Sequence, residues 1–446
     1  MRKERSLSLR EFAIADWRLI SLVAVAFMFG GGGVGTAIWN FIVQAFAFGL
    51  LMFSWPQVRE RWARLTLPVK ILIIATCALP ALQLLPLPSG IWSQLPGRGL
   101  VYDALAVIGA EGDWRPFTVD RVRTAVALMG LVTPLAAFML VRTKSSSFGT
   151  RVLQIIVAAA LANFIFGGLQ ISAGTSLNPY PVLEQGRLYG FFANHNSSGL
   201  FFVLGLCALL GLAPGVTGRY GQAAVLTIGA ILILGTLLTN SRSSTVLLLV
   251  PLSYAAALYS GVIGKGRKFE PRRLGAIAGA VVLGVALLFV AQTRVERTWE
   301  RFAALEDSRT FIWEDALSAA GRYWPVGSGM GTLDEVFQVE ESLESLQPGH
   351  ARRAHNEYLE VTVEAGIVGL FLIIAWGGLL LYMWWTTRAS GKVHWADGVG
   401  LALLCIALQS IVDYPMRNQA LLCVAGLLVA LLVGALDSKK DKTIAA

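Results

Sequence analysis

A histidine and a set of carboxylates follow one another in AHNEYLEVTVEAG (354–366). His355 and Asn356 stand where a helix is predicted to begin, and three glutamates follow at spacings of three and four: Glu357, Glu360 and Glu364. These spacings place the carboxylates on one helical face. A histidine is the usual general base near neutral pH. The segment predicts either a general base or a polar interface histidine, and Glu364, about two turns inside the helix, favours a functional site.

Two arginines lie in polar segments between long apolar runs. Arg187 belongs to GRLYGFFANHNSSG (186–199), and Arg242 belongs to the short TNSRSST (239–245). A guanidinium donates two parallel hydrogen bonds to phosphate oxygens, so each arginine is a candidate contact for a phosphate or diphosphate. Two alternatives stay open. Instead of binding a phosphate of the ligand, Arg187 could be an interfacial arginine that reaches lipid phosphate, and Arg242 could cap carbonyls at a helix end.

Other polar side chains accompany these segments. Three of them follow Arg187, and the asparagines among them are candidates to orient a sugar or to cap the next helix: Tyr189, Asn194 and Asn196. Near the end of the chain, Asp413 and Arg417 lie in a short turn, where a structural salt bridge is favoured over a part in the site. The chain has 4 histidines, no HExxH and no DxD, so no metal site is predicted.

The apolar runs that carry these residues are long enough to cross a bilayer. Of 446 residues, 55% are hydrophobic and 15% are charged, whereas a soluble domain has about a quarter charged residues. Runs of about 20 residues, enough for roughly 30 Å of hydrocarbon, recur along the chain. They predict an all-α, polytopic membrane protein of about twelve transmembrane helices at 17–35, 37–55, 69–88, 122–142, 152–173, 192–213, 221–239, 244–263, 273–292, 357–386, 394–412 and 417–436.

Two hydrophilic segments separate these runs, 89–121 and the larger 293–356, which lies between the ninth and tenth predicted helices. The larger one contains a stretch, 298–324, whose pattern predicts amphipathic helices on the membrane surface or on the bundle. PVGSGMGT (325–332) follows and could bring backbone amides near an anion, but it follows no strand and a plain loop is favoured. Residues 1–446 are predicted to form a single integral membrane domain.

The lysines set the orientation of the predicted helices. With a cytoplasmic N-terminus, every lysine falls on the cytoplasmic side, as the positive-inside rule requires: Lys3, Lys70, Lys144, Lys265, Lys268, Lys392, Lys439, Lys440 and Lys442. Both termini are then cytoplasmic, and both hydrophilic segments and all candidate residues lie outside. The formal charge of +9 is accounted for by topology and anionic lipid, so no nucleic-acid partner is predicted.

Taken together, these motifs resemble the O-antigen ligase-like superfamily of bacterial membrane glycosyltransferases. The superfamily includes O-antigen ligases, O-antigen and exopolysaccharide polymerases, and bacterial O-oligosaccharyltransferases. The resemblance covers about residues 185–375. It rests on the segment around Arg187, the Ser241-Arg242-Ser243 turn, Arg309 to Trp313 with the glycine run, and HNEYL (355–359) with Glu364, Gly366 and Gly369.

The resemblance implies glycan transfer from undecaprenyl diphosphate to an acceptor hydroxyl, on the periplasmic side of the inner membrane, without a metal or cofactor. It implies that His355 activates the acceptor in an inverting reaction, while Arg187 and Arg242 bind the donor diphosphate. Many relatives have a proline between the histidine and the asparagine before the sixth helix. Because this chain reads Asn194-His195-Asn196, His195 is given no catalytic role.

Further candidates carry secondary roles in this interpretation: Tyr189, Asn194, Asn196, Arg309, Asn356, Glu357, Tyr358, Glu364 and Asp413. The acceptor stays open among lipid A core, a growing polysaccharide and a protein serine.

A polysaccharide transporter or lipid-linked glycan flippase is the main alternative, because twelve helices suit that class. Transporters place binding groups near the midplane on broken helices, whereas these polar groups are predicted at one face. A flippase needs polar groups through the full membrane depth. A purely structural membrane subunit is the third hypothesis, and the acidic face of 357–364 argues against it. The sequence favours the transferase.

Overall fold

The computed structural model describes residues 17–33, 36–141, 146–173, 177–180, 186–259, 309–342, 352–391 and 394–444. The protein is mostly helical, as predicted. Its helices are α1 (Trp17–Phe29), α2 (Ala37–Phe53), α3 (Trp55–Arg64), α4 (Leu67–Gln83), α5 (Ser89–Trp92), α6 (Gly99–Val107), α7 (Arg121–Gly130), α8 (Val132–Leu140), α9 (Ser146–Ala173), α10 (His195–Leu212), α11 (Arg219–Leu238), α12 (Arg242–Leu247), α13 (Leu249–Tyr259), α14 (Arg309–Tyr323), α15 (Leu333–Glu340), α16 (Glu357–Ala389), α17 (Ala396–Gln409) and α18 (Gln419–Ile444). Two short strands, β1 (Pro86–Leu87) and β2 (Arg115–Pro116), pair antiparallel.

The chain divides into two compact units. The first unit contains Met1–Gly149, Phe311–Val393 and Ser410–Ala446, and the second contains Thr150–Thr310 and His394–Gln409. In the first unit, α18 packs against α1, α8 and α16. In the second unit, α10 is the central helix and packs against α11, α12, α13 and α17. The expectation of one membrane domain over residues 1–446 stays a prediction.

Several helices have the length and composition to cross a membrane. Among the described residues there are five: Arg121–Leu140, Phe148–Ala173, His195–Gly215, Arg219–Leu238 and Glu357–Ala389. The bent pair α2 and α3, with an angle of 81°, makes a sixth if it forms one span. The chain is therefore a multi-pass membrane protein. The count of twelve stays a prediction, and the expected helix at 273–292 lies outside the described residues.

Helices α14 and α15 lie in the predicted large loop, and they pack against α16. They share one buried apolar cluster with it: Ala316, Ala319, Ala320, Tyr323, Leu333, Val336, Phe337, Ala354 and Val363. Of the two locations predicted for the amphipathic stretch at 298–324, the described part therefore packs on the protein's own helices.

Helix α16 is interrupted at Gly366. The backbone there has φ 53° and ψ −140°, which lies outside the helical region. Glycine adopts such a positive φ more readily than other residues. The glycine-rich run 325–332 packs into the break, where the amide of Ile367 donates a 3.0 Å hydrogen bond to the carbonyl of Pro325. Because Ile367 cannot bond within the helix at this point, the loop supplies its acceptor.

The carbonyls left free by the break are also bonded to the glycine-rich run. The amides of Ser328 and Gly329 donate to the carbonyls of Val363 and Glu364, each at 2.9 Å. Backbone polar groups at membrane depth must be satisfied inside the protein, and this run satisfies them. The run is therefore a structural loop that completes α16, and these amides are not available as a cradle for an anion.

We expect Gly366→Ala to lower the melting temperature of the protein in detergent. An added Cβ would lie 1.9 Å from the carbonyl oxygen of Pro325, and backbone strain at a left-handed position costs about 1–3 kcal/mol. Gly377→Ala is the matched control on the same helix, because its Cβ would meet nothing within 4 Å. Equal melting temperatures for the two variants would contradict this account of the break.

Candidate functional site

Helix α16 begins where the sequence predicted, and its start is fixed by Asn356. Its side chain is the N-cap of the helix and accepts a 3.1 Å hydrogen bond from the amide of Leu359. The amide of Glu357 donates to the carbonyl of Ser410 at 2.8 Å, which ties the same turn to the segment before α18. These bonds determine where the residue just before the cap, His355, lies.

His355 lies beside a buried carboxylate. Its Nδ1 is 3.4 Å from Oδ1 of Asp413, and the two side chains are 31% and 4% exposed. This separation exceeds an ordinary hydrogen bond, so the two groups form an ion pair only when the imidazole is protonated. The ring also packs edge-on against Tyr414, with centroids 5.1 Å apart. An imidazole that has a carboxylate on one side and is partly exposed to solvent has the arrangement of a general base.

The backbone of His355 is held in a conformation that most residues avoid. Its φ is 49°, in the left-handed region, where a residue other than glycine is strained. Such strain persists only where surrounding contacts enforce it, and it is concentrated at functional sites. The contacts on both sides of His355 enforce it here.

All three glutamates on the acidic face of α16 contact the same arginine. Arg417 contacts three carboxylates: Glu357 at 2.9 Å, Glu360 at 3.4 Å and Glu364 at 2.8 Å. Glu360 and Glu364 are fully buried. Buried carboxylates of this kind need a cation, and Arg417 supplies it. Glu357 and Glu364, predicted as secondary site residues, therefore bind Arg417.

Glu360 also fixes the residues that precede His355. Its carboxylate accepts hydrogen bonds from Nη1 of Arg353 at 3.1 Å and from the amide of Ala354 at 3.0 Å. The carboxylates of α16 thus fix both the first turns of the helix and the residues that precede His355.

The interpretation of Arg417 from the sequence is corrected by these contacts. A salt bridge between Asp413 and Arg417 was expected to close the turn, but Arg417 binds the α16 carboxylates and Asp413 lies at His355. Burial alone would lower the pKa of the Arg417 guanidinium, but Glu364, Glu357 and Glu360 raise that pKa well above its ordinary value. Arg417 therefore stays charged.

We expect Arg417→Met to destabilise the protein strongly, because it removes the cation that the buried Glu357 and Glu364 bind and leaves Glu360 with Arg353 alone. Loss of one partner of a buried ion pair costs about 3–5 kcal/mol, and thermal unfolding in detergent measures it. Arg64→Met is the control, since the Arg64–Glu60 pair is solvent-exposed and worth at most about 1 kcal/mol. If the Arg417 and Arg64 variants have the same melting temperature, the ion cluster around Arg417 does not stabilise the protein.

Arg187 lies in the second unit, in the turn before α10. It is buried, at 8% exposed, and its Nη1 lies 2.6 Å from Nε2 of His195. The turn is fixed to neighbouring helices, because Leu188 N donates to the Leu238 carbonyl at 3.0 Å and Gly190 N donates to Gln170 Oε1 at 2.8 Å. Its burial argues against the interfacial arginine considered from the sequence.

The asparagines that follow Arg187 define the start of α10. Asn194 is the N-cap, and its side chain accepts a 2.8 Å hydrogen bond from the amide of Asn196, which confirms the capping interpretation. The carbonyl of Asn196 accepts a 3.3 Å bond from Ser244 on α12. The beginnings of α10 and α12 are therefore joined.

Arg242 is the first residue of α12, and it is exposed. Ser241 before it is the N-cap and accepts from the amide of Ser244. Because Ser244 of the same turn donates to the Asn196 carbonyl at the start of α10, the second unit holds Arg187 and Arg242 on adjoining segments. His355, Asn356, Glu357, Glu364 and Asp413 are brought together in the first unit.

Two further predicted residues are placed less fully. Tyr358 is half-buried in the first turn of α16. Arg309 begins α14, but its side chain lies outside the described residues.

Sequence reasoning missed two partners. It gave His195 no catalytic role and did not predict its contact with Arg187, and it assigned Arg417 to the wrong carboxylate. One signal was available for Arg417, since three glutamates on one face of a membrane-entering helix require a nearby cation. The contact between Arg187 and His195 has no comparable signal, because it depends on how the turn at 186–194 folds.

The comparison with known families agrees with this geometry. The family model described as O-antigen ligase matches residues 227–374, about a third of the chain, which include Arg242 and His355. This match confirms the resemblance to the O-antigen ligase-like superfamily, and it indicates a membrane glycosyltransferase of the O-antigen ligase or polymerase type. No curated protein matches the chain.

Proposed function

We propose that this chain transfers a glycan from undecaprenyl diphosphate to an acceptor hydroxyl, on the periplasmic face of the inner membrane, during synthesis of lipopolysaccharide or another surface polysaccharide. One observation carries the proposal: His355, within the range matched by the O-antigen ligase family, lies partly exposed beside the buried Asp413 at the start of a membrane helix. The lysine distribution supports the periplasmic location and cytoplasmic termini.

In the proposed reaction, His355 accepts the proton of the acceptor hydroxyl. The oxygen of that hydroxyl then attacks the anomeric carbon of the donor glycan and forms the new glycosidic bond. Asp413 stabilises the imidazolium that results, because a carboxylate beside a general base favours its charged form. A single displacement of this kind inverts the configuration at the anomeric carbon.

The leaving group is undecaprenyl diphosphate, which takes the electron pair of the broken bond between the anomeric carbon and its oxygen. We assign Arg187 and Arg242 to this diphosphate, because guanidinium groups neutralise the charge that develops on it in the transition state. The two arginines take the part that a divalent metal has in other glycosyl transfers, so the proposed reaction needs no metal and no cofactor.

The remaining candidates are assigned secondary parts. Tyr189 and Asn196 accompany Arg187 and are proposed to contact the donor, whereas Asn356 and Tyr358 accompany His355 on the acceptor side. Arg309, at the start of α14, is proposed as a further contact to the donor. The acceptor is a glycan, a lipid A core or a protein hydroxyl.

One feature of α16 also occurs in transporters, namely a membrane helix broken near polar groups. In transporters, the free backbone groups at such a break bind substrate. In α16 they bond to the loop 325–332 of the same protein, with Ser328 and Gly329 as donors. The broken helix therefore supports the transferase over the transporter or flippase.

We expect Arg187→Ala and Arg242→Ala each to lower the rate of transfer by roughly 100-fold or more, because each removes charge that stabilises the leaving diphosphate. The assay uses membranes at matched protein abundance, supplied with an undecaprenyl-diphosphate-linked glycan. Arg219→Ala is the control in the same unit, an exposed arginine on α11 that contacts Tyr220.

A wild-type rate in Arg242→Ala would remove this arginine from the donor site. Loss of product in Arg219→Ala as well would show that the assay reports general damage to the second unit.

A further inference from the structure

His195 was given no catalytic role from the sequence, yet it makes a close polar contact with Arg187. Its Nε2 lies 2.6 Å from Nη1 of the arginine. Guanidinium nitrogens only donate hydrogen bonds, so Nε2 must be the acceptor. The imidazole in this contact is therefore neutral, with its proton on Nδ1.

The two residues are held for this contact by separate parts of the fold. His195 is the first residue of α10, directly after the cap at Asn194, so its backbone is set by the helix start. Arg187 is set by the bonds of its turn to Gln170 and Leu238. The contact is thus built in before any ligand arrives.

The ring of Tyr189 completes the arrangement around Arg187 and His195. Tyr189, at 5% exposed, packs edge-on against the imidazole with centroids 6.1 Å apart. A packed ring cannot turn freely, so its acceptor nitrogen stays directed at Arg187. A guanidinium has five N–H donors, and the contact with His195 uses one of them.

We propose that His195 is a positioning residue for donor binding, which orients the Arg187 guanidinium toward the diphosphate while remaining neutral. This inference rests on the proposed function, because it requires Arg187 to bind the diphosphate. His195 itself exchanges no proton in the reaction. It acts by keeping the arginine side chain in one conformation, which lowers the entropy lost when the diphosphate binds.

The test measures binding of undecaprenyl diphosphate, the leaving group itself, to the full chain in nanodiscs. We expect His195→Ala to weaken binding roughly tenfold or more, the scale of a hydrogen bond to a charged group. His195→Gln keeps an acceptor oxygen, and we expect it to bind within about threefold of wild type by the same reasoning. His394→Ala, at an exposed histidine in the same unit, is the control.

A double variant separates orientation from general damage. Because His195 acts through Arg187, Arg187→Ala combined with His195→Ala should bind no more weakly than Arg187→Ala alone. Thermal unfolding of each variant checks that it is folded.

Three outcomes would overturn the inference. Wild-type binding by His195→Ala, with weak binding by Arg187→Ala, shows that His195 does not position the arginine. The proposed function is then intact. Equal weakening in His195→Gln and His195→Ala shows that an acceptor atom is not what matters. Wild-type binding by Arg187→Ala removes the donor arginine, so the donor assignment and this inference fail together.

Discussion

The ion cluster around Arg417 is the constraint on which the rest of the first unit depends. Three carboxylates on one face of α16 are buried where an unpaired charge would be costly, and one guanidinium binds all three. Replacing Arg417 removes the cation that the buried Glu357 and Glu364 bind. The cluster joins the start of α16 to the turn before α18, and through Glu360 it also fixes the residues before His355.

A second set of bonds holds α16 farther along the chain. The glycine-rich run at 325–332 fills the break at Gly366 and leaves the short first segment of the helix, 357–365, attached at both ends. That segment carries Asn356 and His355 at its beginning. A strained backbone at His355 can be maintained because both ends of the segment are fixed. Burying the carboxylates of α16 and Arg417 costs free energy, and in this fold these groups position the imidazole of His355.

Hydrophobic patterning was sufficient to predict helices and several of their starts. Asn194 was predicted either to cap the next helix or to orient a sugar, and it is the cap of α10. Asn356 was predicted only to stand at the start of a helix, and it is the cap of α16. The partner of Arg417 was predicted wrongly, since the choice among four carboxylates depends on distances across the fold. The break at Gly366 was not predicted, because a single glycine in an apolar run has the same pattern whether the helix continues or not. The donor arginines and the catalytic histidine stay predictions.

The central claim is that His355 activates the acceptor, and one measurement tests it directly. Transfer from an undecaprenyl-diphosphate-linked glycan is compared between His355→Ala and His394→Ala at matched membrane abundance. The account predicts a loss of about 100-fold to 10,000-fold for His355→Ala, the contribution of a general base, and no loss for His394→Ala. Equal product from the two variants would contradict the account and assign the chemistry to another residue.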